Sequence, residues 1–247
     1  MKNKLSYIIA SNKSNFALEN TIKSITDLDD SNYEIIVCSK NKIKESSNIK
    51  WVEDDKNNGS VYGFNKAYKE SQNDYVIILP DDHCVKQDFL KIKDYFSNDD
   101  FQSLDFRICN LTHHLGGPEK NYYDKRIKRH TGNIWPDNPL CSIKNGRPYN
   151  VWHFFAIERL SIEKHMENVI FNTCFIHHWV DHWLGFYEEM INGERPTEKL
   201  GPDIYMECNQ KFNSEKSNLS FDNYDESIFK SLVSISHLPN TTYNFQL

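Results

Sequence analysis

The densest apolar pattern in the chain is Tyr75–Leu79, five apolar residues in a row and rich in β-branched types. A short run of that kind predicts a strand buried on both faces, as in a parallel sheet. Pro80 follows and ends it, because proline has no N–H to give to a ladder. Leu5–Ala10 and Tyr33–Cys38 read the same way. Between them Leu18, Ile22 and Ile25 recur at helical spacing, predicting a helix over Phe16–Ile25. The chain therefore opens strand–helix–strand, a unit with a right-handed crossover. Ile49–Val52 predicts a short third strand, and Val61–Glu70 and Asp88–Phe96 predict helices.

The second half is patterned more weakly. Asp105–Leu111 predicts a strand, and from Thr112 to Pro148 periodicity gives way to glycine and proline punctuation. A loop of that length inside a domain is usually functional or mobile, and this one is expected to shape the acceptor site and to be mobile without ligand. Its basic run KRIKRH, residues 125–130, reads as a solvated face or as a contact for an acidic acceptor or membrane headgroups. Val151–Ile157 predicts a strand, and Ser161–Asn168 a helix with Ser161 as its N-cap. Trp179–Tyr187 has helical character, and Asp222–Val233 predicts a last helix. His178 and His182 are four apart, as are His177 and Asp181, so each pair is expected on one helix face. That spacing permits a metal site; ordinary hydrogen-bonded histidines are the plainer reading.

Composition narrows the classes. The chain has 247 residues, 38% hydrophobic and 26% charged, which suits a globular protein with an ample core. A net charge of -6 gives no overall attraction to nucleic acid. No apolar run approaches the ~20 residues that span a bilayer, so association with a membrane would be peripheral. Six cysteines without a C-x-x-C pair fit a reduced, cytoplasmic setting, at most at the inner face of the membrane.

The chemistry gathers after the most apolar strand, at Asp81, Asp82 and His83. Open α/β sheets bind ligands outside the carboxyl ends of their strands. Hard oxygen donors there suit magnesium or manganese holding a phosphate. An ordinary polar turn is the alternative, since Pro-Asp-Asp is common turn chemistry.

Four pieces in order then carry a resemblance: LSYIIAS, YEIIVCSK, NNGSVYGFNKAY and DYVIILPDDH. Over roughly the first ninety residues the chain resembles the family 2 glycosyltransferases of the GT-A fold. More loosely, HFFAIERLSIEKH is similar to the family's post-acceptor strand and helix, and VDHWLGF to the helix bearing its catalytic aspartate. The resemblance implies an α/β, Rossmann-like fold: a mixed, mostly parallel sheet flanked by helices in a single domain. Residues 1–100 would then be the nucleotide-sugar-binding half and residues 101–247 the acceptor-binding half. It implies transfer of a sugar from a UDP- or GDP-sugar to a glycan, a lipid-linked acceptor or another hydroxyl, in glycan or cell-surface polysaccharide synthesis. It also implies a divalent cofactor, Mn2+ or Mg2+. Ala10, Ser11 and Asn12 fall where the family's first loop meets the nucleotide, and Asn58, Gly59, Gly63 and Asn65 in its donor-binding loop and helix. Asp82 falls on the metal-binding aspartate closing the DXD motif, flanked by Asp81 on the donor side and by His83 as a further metal ligand. Asp181 falls on the base that activates the acceptor. Two positions depart from the pattern. Ser39 stands where the family has an aspartate for the nucleotide base, and Pro80 replaces the first aspartate of DXD.

The chemistry wants these residue types. Negative charge develops on the leaving diphosphate, and an ion held by Asp82 would neutralise it. The acceptor hydroxyl must lose its proton as it attacks, and a carboxylate such as Asp181 can take it. In a single displacement that base lies opposite the leaving group, which gives inversion. The aromatics Trp152, Phe154, Phe155, Trp179 and Trp183 offer either a sugar-stacking platform or plain core packing. Two other readings stay open from sequence: a nucleotidyltransferase, for which ASNKSN lacks the expected glycines, and a degenerate module that binds a sugar nucleotide or glycan without turnover.

Overall fold

Alternation along the buried strands decides the architecture. The computed structural model describes residues 4–11, 16–28, 31–56, 58–85, 90–97, 108–110, 112–115, 155–177, 179–181, 183–184, 187, 191, 205–208 and 222–236. The strands are β1 (Leu5–Ser11), β2 (Tyr33–Ser39), β3 (Ile49–Glu53), β4 (Tyr75–Ile78), β5 (His83–Val85), β6 (Ile108–Asn110), β7 (Thr112–Leu115), β8 (Phe155–Glu158) and β9 (Tyr205–Cys208). The helices are α1 (Phe16–Thr26), α2 (Ser60–Lys69), α3 (Ile92–Ser97), α4 (Arg159–His165) and α5 (Asp222–Ser236), with further helical residues between 180 and 191.

The larger sheet runs β3-β2-β1-β4-β8-β6. Its first four strands are parallel, and β8 enters antiparallel to both β4 and β6. This is the mixed, mostly parallel sheet expected of the GT-A fold. Its two faces feed two cores. Ile8, Ile36, Val76, Ile78, Phe155 and Ile157 point to one, which α2, α4 and α5 cover. Leu5, Tyr7, Ile9, Ile35, Val37, Tyr75, Ile77 and Ala156 point to the other, with Leu18 and Ile25 of α1 and Ile92 and Phe96 of α3. Fully burying each such side chain contributes ~1.5–3 kcal/mol, so the sheet is fixed in register by the period of two.

Several boundaries differ from expectation. The helix after β8 starts at Arg159 with Glu158 as N-cap, and Ser161 is fully buried inside it rather than capping it. Thr112, expected to open a long loop, begins β7. With β5 and β9, β7 forms a second sheet of order β5-β9-β7 that the sequence pattern did not suggest. His177 lies outside helix, and the helical residues begin at Val180, so His177 and Asp181 do not share a helix face. His178 and His182, the rest of that idea, lie outside the described residues, as do Asn12, Trp152, Phe154, most of 112–148 and the basic run. No helix among the described residues is long and apolar enough to cross a membrane.

Candidate active site

Parallel strands that end on one edge of a sheet leave a crevice there. Here the edge is made by Ala10 and Ser11 of β1, Ser39 of β2, the turn after β3 and the corner after β4. Ser11 ties two of these together: its hydroxyl donates to Asp81 Oδ2 at 2.6 Å. Thr21 of α1 holds the same corner from behind, donating to the Asp81 carbonyl at 3.0 Å. Asp82 and His83 are buried side by side, with His83 Nδ1 2.6 Å from Asp82 Oδ1. His83, expected as a metal ligand, therefore turns its Nδ1 to the carboxylate and orients it. Among the described residues no three His, Cys, Asp or Glu side chains form a ready-made cation cage.

Burial pushes the Asp81 carboxyl above its ordinary value of 3.8; the Ser11 hydroxyl offsets part of this and the neighbouring Asp82 charge adds to it. A carboxyl raised in the folded state binds its proton more readily folded than unfolded. Its contribution thus favours the fold at low pH and is lost as pH rises through the raised value. Asp81→Asn keeps an acceptor for Ser11 and removes the charge. In metal-free buffer the variant is expected to melt higher than the wild type at pH 7, with the gap narrowing as pH falls toward 3.8. Melting curves across that range check it, and a gap independent of pH would contradict it.

The second half of the crevice is α2. Gly63 packs so closely on β1 that a Cβ there would stand 2.9 Å from Ala10 Cβ and 3.9 Å from Cys38 Sγ. Burial first, and Asp54 next, push the Cys38 thiol up to about 12, which leaves it a neutral packing group. Gly59, the N-cap of α2, has φ +94°, a conformation that favours glycine, and a Cβ on it would meet Ile176 O at 2.5 Å. Asn58 is placed by Asp54, which is buried and accepts from its backbone N–H and its Nδ2. Ser39, at the position expected to face the nucleotide base, is buried. Its hydroxyl donates to Asn41 O at 2.8 Å and accepts from Trp51 Nε1 at 3.2 Å. Asn65 is a clamp between segments: its Oδ1 accepts from Ile170 and Phe171, and its Nδ2 donates to Phe171 O at 2.7 Å.

The chain after that clamp leads to Asp181. Val61 N–H donates to Ile176 O at 3.3 Å and Ser60 Oγ to His177 O at 3.2 Å, so residues 176–177 lie against the start of α2. Trp179 then takes φ +62° and accepts from Trp183 N–H at 3.0 Å, opening the next helical turn. Asp181 sits in that first turn, 4% exposed, where the unpaired N–H groups of a helix start favour a negative charge. Phe155 and Trp183 are core residues; Trp179 is half-buried and stacks obliquely on Phe229. The structure thus brings Ser11 to Asp81, Asp82 to His83, Ala10 to Gly63, and Gly59 to the stretch before Asp181. Asp54 and Asp225 are anchoring residues that the sequence reading passed over. A carboxylate on the apolar face of the last helix, beside Ile228 and Phe229, was the available signal for the second.

A family model described as Glycosyl transferase family 2 matches residues 7–166, well over half the chain. No curated protein sequence matches the chain. A mannosyltransferase from Pyrobaculum calidifontis, PcManGT, solved in complex with GDP-Man and Mn2+, has a similar fold: TM-score 0.56 and 12% identity, covering 94% of this chain and 70% of that one. TarS of S. aureus aligns with TM-score 0.52 and 13% identity over 96% of this chain, which spans only 44% of TarS.

Proposed function

The chain belongs to glycosyl transferase family 2, and from that premise we propose that it transfers a sugar from a nucleotide diphosphate donor to an acceptor hydroxyl, with inversion and with a divalent cation. The observation that carries the proposal is the strand-end corner, where two adjacent carboxylates stand, Asp82 buried and Asp81 half-buried with Ser11 against it. Burial and mutual repulsion raise Asp81. A hard cation removes that cost, so the residues fit one. Asp82 would hold it, with Asp81 beside it and His83 orienting Asp82. Two carboxylates suffice because magnesium-like ions keep waters and substrate phosphate in the remaining positions. The ion would supply Lewis-acid neutralisation of the departing diphosphate. PcManGT was solved with a nucleotide sugar and Mn2+, and the proposal extends that pairing to this chain.

Ala10, Ser11, Asn58 and Gly59 would line the donor, with Gly63 and Asn65 holding α2 in place beneath it and Ser39, enclosed by Asn41 and Trp51, bracing the end of β2. The acceptor oxygen attacks the anomeric carbon and the bond to phosphate breaks, its electron pair going to the diphosphate oxygen. The acceptor's proton passes to the Asp181 carboxylate. Both halves would act as one domain, since β8 of the second half pairs with β4 of the first.

A melting screen against UDP- and GDP-sugars, each with and without manganese, tests this. A donor at 100 times its Kd adds ~2.7 kcal/mol of stability, several degrees for a chain of this size at ~2–4 °C per kcal/mol. The expected result is one donor class with a manganese-dependent rise, followed by turnover with an acceptor glycan. No shift with any nucleotide sugar would overturn the proposal, and a shift without turnover would point to a non-catalytic binding module.

A further inference from the structure

Asp225 of α5 is fully buried. Its two oxygens accept from the backbone amides of Ile176 and His177, each at 2.9 Å. A carboxylate removed from water needs such donors, and a pair of N–H groups on adjacent residues holds it in one orientation. The same two residues face α2 with their carbonyls, which accept from Val61 N–H and Ser60 Oγ. On the α2 side Gly59 leaves no room for movement, since Ile176 O already occupies the space of a Cβ. The 176–177 segment is therefore held between a carboxylate on one side and the N-terminus of α2 on the other. Four residues after His177 the chain reaches Asp181.

We propose that Asp225 is a positioning residue of the transfer reaction: it locks residues 176–177 against the donor loop, fixing Gly59 and the start of α2 relative to the base-bearing helix. The inference rests on the function proposed above and adds to it a residue beyond the stretch that matches the family. Core packing alone asks for an apolar side chain at this place, as Phe229 one turn on supplies. A carboxylate with both oxygens on one backbone segment fixes a position.

The test uses the full chain with UDP or GDP, whichever the wild type binds more tightly, plus manganese. Asp225→Asn replaces one acceptor oxygen with an NH2 group that faces a backbone N–H. The variant is expected to raise the Kd for the nucleoside diphosphate about tenfold, the size of one lost hydrogen bond to a charged group. Hydrogen exchange at amides 176 and 177 should speed up with it. Ile92→Val, a core change under the opposite face, supplies a destabilised control whose Kd stays within about twofold. Ser60→Ala cuts the same tie from the α2 side and should raise the Kd about threefold with little change in melting temperature; it decides the matter if Asp225→Asn does not fold. Wild-type affinity in a folded Asp225→Asn, or in Ser60→Ala when that variant must decide, overturns the inference alone. A wild type that binds neither nucleotide overturns the functional reading, and the inference with it.

Discussion

Asp82→Asn is expected to weaken binding of the nucleoside diphosphate with manganese on the order of 10²–10³-fold. The estimate follows from charge. A unit pair ~4 Å apart is worth ~4 kcal/mol at an effective dielectric of ~20, and each 1.4 kcal/mol is a factor of ten. Asparagine keeps the shape and an oxygen for His83 Nδ1, now 2.6 Å away, so the loss should be electrostatic and not a collapse of the corner. Asp81→Asn should cost less, because Asp81 already spends one oxygen on Ser11. Affinity in EDTA should change little in either variant. Calorimetry with and without manganese reads all of this directly. Equal manganese-dependent affinity in Asp82→Asn and wild type would remove the ion from this corner.

The parts of the molecule that were legible in sequence share a cause. β1, β2 and β4 are buried on both faces, so they appear as unbroken apolar runs. Helices α1 and α2 present one apolar stripe each and appear as a period near 3.6. The second sheet was not legible because its pairs are remote: β5 pairs His83 with Cys208, and strands of three or four residues carry too little pattern to be seen alone. Ser161 misled because serine is a common cap, yet here the backbone enters the helix at Arg159 and the hydroxyl is buried.

The candidate site divides along the same line. Asp81 and Asp82 were visible because polar residues directly after a buried strand stand at the ligand edge of the sheet. What sequence could not show is how each group is spent. Ser39 looked like a lost contact to a nucleotide base; in the fold it is enclosed by Asn41 and Trp51. Asn65 fell in the donor-binding helix by resemblance; in the fold it is a clamp on the backbone of 170–171. Asp225 was one acid in a polar helix until the fold placed it beneath 176–177. The Asn65 role depends on a partner 106 residues away and the Asp225 role on one forty-nine away, so local pattern names no partner for either.

Asp181→Asn is expected to lower turnover about 10²–10⁴-fold, the range that general-base catalysis contributes, while donor and manganese affinity stay within about twofold. The separation follows from the reaction. In the proposed reaction the base would touch the acceptor's proton, and the donor's charge would be met elsewhere, at the Asp81–Asp82 corner. Asparagine matches aspartate in size, so a position only 4% exposed loses little packing. It cannot accept a proton, so the acceptor oxygen must attack while still carrying one. Slow hydrolysis of the donor by water should persist, since the groups that stabilise the leaving diphosphate are untouched. A purely structural Asp181 predicts another outcome: at the start of a helix its charge meets unpaired N–H groups, and its loss would lower melting temperature and turnover together by about 0.3–1 kcal/mol of stability. The deciding experiment measures turnover, donor affinity and melting temperature on one preparation of the variant. Near-normal transfer by a folded Asp181→Asn would refute the role and move the search to Glu158, His153 and His178. Of these Glu158 has a described place, at the end of β8 opposite Tyr75, which is the far end of β4 from the Asp81–Asp82 corner, so a loss of turnover confined to Asp181 is the expected answer.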